Sequence, residues 1–331
     1  MTEKPIRVAV VGVGDFGRNH VRVYREMPGV TLAGIVDINA DRAKAVAAEF
    51  GTQALPDISA LAGNVDAVSL AVPTIEHARI GTRVLERGID LLVEKPIAAS
   101  LEEADALIAA AERGGRILQV GHLERFNPAI VAAEKIVTRP LFFEIHRLGV
   151  FSPRSLDVDV VYDLMIHDLD ILLAFLDSPA TDLRAVGIPV MTDKVDIAHA
   201  RIEFASGAVA NLTASRVSTE KVRKMRFFQE HEYISLDFTR QDVLRVRVQP
   251  GVGLTHEAEP QVNFEKLPAE PEEPLRAELR AFLESVRTRR QPRVDGAAAR
   301  RALDLADRVM TGILEHARRV QLGTFAPQGS R

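Results

Sequence analysis

The chain contains no cysteine in 331 residues. That absence excludes a disulfide framework, a thiolate metal site and a cysteine nucleophile, and it suits a cytoplasmic protein. A surplus of positive charge is also missing: 42 Lys and Arg stand against 46 Asp and Glu, a formal net charge of -4. With nothing to neutralise a phosphate backbone, nucleic acid is a poor partner. No run of roughly 18 apolar residues occurs, and Met1–Ile6 is not a basic region leading into an apolar stretch. Membrane spanning and secretion are both disfavoured.

What is present is the composition of a globular protein, 47% hydrophobic and 27% charged. Single cores rarely grow past about 250 to 300 residues, so the length points to two domains. Ile6 to Val11 is a β-branched run followed at once by glycines and then a helical stretch through Tyr24. Strand signals at 30–36, 67–72, 91–93 and 117–121 alternate with helical segments such as 40–50, the pattern of a parallel sheet. After about residue 122, strands at 141–150, 197–204, 209–214 and 225–230 follow with little helix between them, the pattern of an antiparallel sheet. Ser206-Gly207 reads as a hairpin turn.

Pro260, Pro268, Pro271 and Pro274 lie among acidic residues, so 260–274 reads as an extended surface connection. Two helices, 275–288 and 296–321, then close the chain. The expected fold is α/β plus α+β. A Rossmann dinucleotide-binding domain over 1–122 precedes a domain over 123–331 built on a mostly antiparallel open sheet, whose C-terminal helix can pack back on the first domain.

Gly12, Gly14 and Gly17, with Val13, Asp15 and Phe16 between them, form a GxGxxG turn between a strand and a helix. In that setting the first glycine permits the tight turn, the second admits a pyrophosphate and the third lets helix and strand pack closely, with phosphates at the helix N-terminus. Asp37 ends the second strand twenty residues beyond Gly17, where a carboxylate can bond the ribose hydroxyls and repel a 2′-phosphate. NAD is therefore preferred, with Arg42 leaving room for NADP. A helix-capping role is the alternative for Asp37.

Glu94-Lys95-Pro96 follows a strand, at the carboxyl end where open α/β sheets bind ligands. An ammonium there can stabilise the alkoxide-like charge that develops as hydride leaves a carbinol carbon. Pro96 restricts the backbone beside it, at the kind of bond where cis peptides occur. Farther on, Asp163 and His167 stand four apart in a segment that reads as a helix opening at Tyr162, with Asp170 near the same face. Histidine titrates near neutrality and can move a hydroxyl proton, while the carboxylate orients imidazole or substrate. Two alternatives accompany this reading: a helix-start cluster with a structural histidine, and a zinc site at Asp163, His167 and Asp170. No metal is expected, because a nicotinamide already accepts hydride.

The glycine turn, Glu94-Lys95-Pro96 and the Asp163/His167 pair together closely resemble the glucose-fructose oxidoreductase / inositol dehydrogenase family, Gfo/Idh/MocA, over nearly the whole chain. Ala71-Val72-Pro73-Thr74 with His77 is similar to that family's loop over the cofactor. The resemblance implies that Lys95, Asp163 and His167 are the substrate-handling triad, with His167 as general acid/base. Gly121 to Pro128 and Met165 to Asp170 are similar, more finely, to bacterial UDP-N-acetylglucosamine 3-dehydrogenases, which make a 3-keto sugar that an aminotransferase then aminates on the route to amide-linked lipid A.

Arg125, Asn127 and Tyr162 join Asp163 and His167 as candidate substrate-binding residues, and charge alone makes Arg125, Arg147 and Arg154 candidate phosphate partners. Leu164-Met165-Ile166 departs from the family, many of whose members carry glycine near the start of this helix. An inositol-type polyol dehydrogenase and a non-catalytic nucleotide sensor are the competing functions. A homodimer or homotetramer is expected, since an open antiparallel sheet commonly finds another subunit.

Overall fold

Five strands make the first sheet, four of them almost wholly buried, as parallel strands covered on both faces must be, while the edge strand at Val30–Val36 is buried only over its last three residues. The computed structural model describes residues 4–152, 158–249 and 261–322. Its opening elements are β1 (Ile6–Val11), α1 (Asp15–Glu26), β2 (Val30–Val36), α2 (Ala40–Phe50), β3 (Ala67–Leu70), α3 (His77–Leu85), β4 (Asp90–Glu94), α4 (Leu101–Gly114) and β5 (Leu118–Gly121). The strands pair in parallel in the order β2-β1-β3-β4-β5. The connection therefore reverses direction beside β1, and the crevice between the carboxyl ends of β1 and β3 is the expected ligand position.

Local chemistry sets the helix starts. Asn39 caps α2 by accepting from the Asp41 and Arg42 amides, and Ser100 caps α4 through the Glu103 amide. α1 has no such cap. Its N-cap is Gly14, which has no side chain to offer the first amides of the helix.

The second sheet draws on α5 (Pro128–Glu134), β6 (Phe142–Leu148), α6 (Ile166–Leu176), β7 (Ala180–Ile188), β8 (Ile197–Phe204), β9 (Val209–Ser215), β10 (Val222–Gln229), β11 (Glu232–Asp237), β12 (Asp242–Gln249) and β13 (Gln261–Leu267). Its eight strands run in the order β13-β12-β11-β10-β6-β9-β8-β7, and only β6 and β9 are parallel neighbours. Side chains along β8 alternate between buried and exposed, the period-2 pattern of a sheet with one covered face. Gly207, at φ +85°, makes the β8–β9 turn expected from Ser206-Gly207.

One expectation is corrected. Residues 261–267 are not a mere connection but a strand paired antiparallel with β12 along its whole length. Pro260 and Pro268 flank this segment rather than interrupt it, so no residue within it lacks an amide for the ladder with β12.

α7 (Pro274–Thr288) and α8 (Gly296–Arg319) close the chain. The chain divides into two compact units, the described residues to Phe126 with Glu273–Leu303, and those of Asn127–Glu272 with those from Asp304 onward. Within the first unit, α7 turns Leu275, Leu279, Phe282 and Leu283 onto a core shared with Val8, Val10, Val21, Tyr24 and Ile35. Each such side chain contributes about 1.5 to 3 kcal/mol by leaving water. The helix thus covers the face of the parallel sheet on which α1 lies.

Candidate active site

The glycine turn of the first unit is shaped by what each position cannot hold. At Gly12, φ is +84°, and a Cβ would come within 2.5 Å of the Ala71 carbonyl oxygen. At Gly17 a Cβ would stand 1.9 Å from the Gly12 carbonyl oxygen. The loops after β1 and β3 are thus in contact at the reversal point of the sheet. At Gly14, by contrast, a Cβ would meet nothing within 4 Å. Open space faces the uncapped N-terminus of α1, where amides and helix dipole favour an anion. A dinucleotide pyrophosphate fits this cradle. Asp15 and Phe16 begin the helix, and the Phe16 ring packs edge-on against His20.

Asp37 does not cap α2; Asn39 does. Its carboxylate instead accepts from the Val13 amide at 2.8 Å, which ties it to the glycine turn, and from the Asn39 amide at 2.8 Å. Arg42 completes a bidentate pair at 2.7 and 3.0 Å. Burial pushes the Asp37 carboxyl up, but the Arg42 guanidinium and the two amides outweigh it and hold it below the usual carboxylate range. Arg42 is therefore spent on Asp37 rather than presented to a 2′-phosphate.

His77 is buried, with Nε2 at 2.9 Å from the Val72 carbonyl oxygen and Nδ1 at 2.9 Å from that of Pro96. Burial pushes its pKa down against the pull of both carbonyls, so the neutral ring donates to one of them. The imidazole is a strut that joins the Val72-Pro73-Thr74 loop to the Glu94-Lys95-Pro96 loop. The Lys95–Pro96 peptide is cis. Glu94 is buried at the end of β4, its Oε2 3.4 Å from the Lys95 amide and its Oε1 3.0 Å from His20 Nε2. The structure thus gathers Gly12, Gly14, Gly17, Asp37, Val72, His77, Glu94, Lys95 and Pro96 at the carboxyl end of one parallel sheet.

The second unit holds Asp163 and His167 at the start of α6. Val161–Met165 is a π-helical turn that leads directly into α6, so Asp163 sits in the wide turn and His167 in the first α turn. π turns of this kind are frequent at functional sites. Next to His167, Asp168 is clamped by Arg147 from β6 at 2.8 and 2.9 Å, both side chains being only 3% exposed. Arg147 also lies over the Phe238 ring. Its charge is thereby consumed, and Arg147 is an anchor for the His167 turn instead of a phosphate ligand. Sequence reasoning missed this role because the spacing of Arg147 and Asp168 carries no local signal.

Three other candidates have structural partners. The Tyr162 hydroxyl donates to Asp307 of α8 at 2.7 Å, and burial with that carboxylate drives its pKa up. Asn127 caps α5 through the Ala129 amide and donates to the Phe238 carbonyl at 3.1 Å. Arg125 is half-buried on the turn Leu123–Phe126. Arg154 lies outside the described residues. Among the described residues no three His, Asp or Glu side chains come together as a metal-ligand set.

Residues 6–122 match an oxidoreductase family with an NAD-binding Rossmann fold, GFO_IDH_MocA, and residues 146–234 match the GFO/IDH/MocA C-terminal domain. The UDP-N-acetylglucosamine 3-dehydrogenase of Acidithiobacillus ferrooxidans is 40% identical over 93% of this chain and 97% of its own. The chain belongs to the Gfo/Idh/MocA oxidoreductase family. A solved structure of that A. ferrooxidans enzyme superposes with a TM-score of 0.87 at 39% identity, over 93% of this chain and 97% of the other. The scyllo-inositol 2-dehydrogenase (NAD(+)) of Bacillus subtilis is 31% identical over 65% of this chain and 69% of its own.

Levoglucosan dehydrogenase in complex with NADH and L-sorbose shares the fold at TM-score 0.83 and 18% identity, covering 95% of this chain and 98% of the other. As a Gfo/Idh/MocA member, the chain is an NAD-binding oxidoreductase. Its dehydrogenase relatives make a hydroxyl-bearing carbon the seat of the chemistry.

Proposed function

We propose that this enzyme oxidises the 3-hydroxyl of UDP-N-acetylglucosamine to a ketone with NAD. The carrying observation is the match to the A. ferrooxidans enzyme, which runs almost end to end at 40% identity, whereas the inositol relative matches over only 65% of this chain. In this reading the parallel-sheet unit holds the cofactor and the antiparallel-sheet unit most of the substrate contacts, with Glu273–Leu303 belonging to the first unit rather than to a substrate domain over 123–331.

The residues then have definite tasks. Bound NAD supplies a hydride acceptor. Gly14 and the start of α1, in the turn that Gly12 and Gly17 shape, hold the pyrophosphate, Asp37 takes the adenosine ribose, and the Val72–Thr74 and Glu94–Pro96 loops border the nicotinamide end. Lys95 stabilises the oxygen of the reacting hydroxyl with its ammonium. His167 takes the hydroxyl proton as the carbonyl forms, and Asp163 orients substrate and imidazole. The helix turn that carries His167 is steadied by the Arg147–Asp168 pair. Arg125 is a sequence candidate for gripping the sugar nucleotide, whereas Asn127 is buried and bonded to the Ala129 amide and the Phe238 carbonyl.

A 3-keto product is a substrate that an aminotransferase can take, and this reading assigns the enzyme to amino-sugar supply for lipid A. A cytoplasmic location and a homodimer or homotetramer belong to the same reading. The association is supported by the exposed apolar side chains Leu244, Val248, Val262 and Phe264 of β12 and β13. Oxidation of a free polyol of the inositol type is the second reading, supported by the B. subtilis relative. Thermal melting with NAD present separates the two: UDP-N-acetylglucosamine raises Tm and myo-inositol does not, and the opposite result favours the polyol.

A further inference from the structure

Beside Glu94 the first unit buries a second acid that the proposed chemistry does not use. Glu278, on α7, is completely buried, and among the described residues neither of its carboxylate oxygens meets a hydrogen-bond donor. An ionised carboxylate in that place would lose its hydration and gain no replacement. The groups around it are known from each element that packs there. Glu94 comes from β4 and Tyr24 from α1, and His20 of α1 stands 3.0 Å from Glu94 Oε1. The Gln119 amide of β5 donates to the Glu278 backbone carbonyl at 3.2 Å, and the turn Leu123–Phe126, with Glu124 and Arg125, packs on α7. The buried Tyr24 hydroxyl is engaged with Ser69 at 2.8 Å.

The Glu94 carboxylate is itself tightly seated. A Cβ at Gly121 would come within 2.8 Å of Glu94 Oε2, so glycine alone leaves the room that this side chain fills. The same oxygen faces the Lys95 amide. A second negative charge nearby in this dry interior would push Glu94 out of that seat.

We propose that Glu278 is a positioning residue that stays protonated through the neutral range, so that Glu94 alone carries the negative charge and keeps the Lys95 backbone in place. Burial and the Glu94 charge both push the Glu278 carboxyl well above the usual carboxylate range. The consequence for Lys95 rests on the catalytic reading of that lysine; the protonation of Glu278 does not.

The test compares wild type with Glu278→Gln, which keeps the neutral shape and cannot ionise. In the unfolded chain a glutamate titrates near about 4.3. Above that pH, unfolding releases the proton that folded Glu278 retains, so this residue's contribution to stability falls as pH rises until the folded group ionises. The folding constant of wild type relative to Glu278→Gln should therefore fall about tenfold per pH unit between roughly pH 5 and 7. A ratio that is flat with pH overturns the proposal.

Infrared spectroscopy of the wild type gives a readout that needs no stable variant: a protonated-carboxyl carbonyl band at neutral pH supports the assignment, and its absence overturns it. For the positioning role, the alkaline limb of kcat should move to higher pH in Glu278→Gln, and an unmoved limb overturns the link to Lys95. Should no sugar be oxidised, the proposed function fails, while the stability and infrared readouts still decide the state of Glu278.

Discussion

Lys95 is the residue on which the proposed chemistry turns, and it stands apart from the cofactor contacts that the glycine turn and Asp37 provide. We predict that Lys95→Ala lowers kcat by about 100-fold or more, the scale expected for losing a group that stabilises developing charge. NAD affinity, read by fluorescence titration, should stay near wild type. A variant with near wild-type kcat would remove Lys95 from the chemistry. Asp37 is tested through the residue it restrains. In Asp37→Ala the ribose loses its carboxylate partner and the Arg42 guanidinium, now paired with Asp37, is released toward a 2′-phosphate. A lost hydrogen bond to a charged group is worth about 2 kcal/mol, so the kcat/KM ratio of NADP to NAD should rise roughly thirtyfold. An unchanged ratio would mean that Asp37 only braces the turn.

At the scale of elements, β1, the glycine turn and α1 make opposite demands of two glycines. Gly14→Ala points its methyl into open space, so the fold should keep its Tm while NAD binding weakens tenfold or more by calorimetry. Gly17→Ala drives its methyl onto the Gly12 carbonyl, and the protein should be strongly destabilised in a urea melt. If the two variants behaved alike, the division between cofactor space and packing space would be wrong. The clamp between β6 and α6 gives a second test. Asp168→Ala leaves the buried Arg147 guanidinium without its carboxylate, and we predict a loss of about 3 to 5 kcal/mol in urea unfolding. A loss below about 1 kcal/mol would show that the clamp does not hold the His167 turn.

These elements also mark where sequence reading succeeds. The glycine turn was legible because its constraints are local: strand, three glycines and helix lie within twenty residues. β13 escapes sequence reading because four prolines in fifteen residues argue for a connection, whereas their positions bound the strand. The π turn at Val161–Met165 was read as ordinary helix, since its hydrogen-bond pattern leaves no periodic signature in so short a segment.

In the whole molecule, α/β alternation followed by a strand-rich half was legible because hydrophobic periodicity changes near residue 122. Long-range pairings were not. Arg147 with Asp168, Tyr162 with Asp307 and Glu278 beside Glu94 join residues 21, 145 and more than 180 positions apart, and only the folded chain brings them together. Two arginine and tyrosine side chains that charge or sequence position alone would assign to a ligand, Arg147 and Tyr162, are thereby engaged within the protein.

The reaction proposed for the folded chain is oxidation of a UDP-linked sugar at a hydroxyl-bearing carbon with NAD. Purified enzyme incubated with NAD and UDP-N-acetylglucosamine, with myo-inositol in parallel, tests it by the near-ultraviolet absorbance of NADH. NADH formed with the sugar nucleotide and not with inositol, and lost in Lys95→Ala, is the predicted result. NADH formed with inositol alone would contradict it.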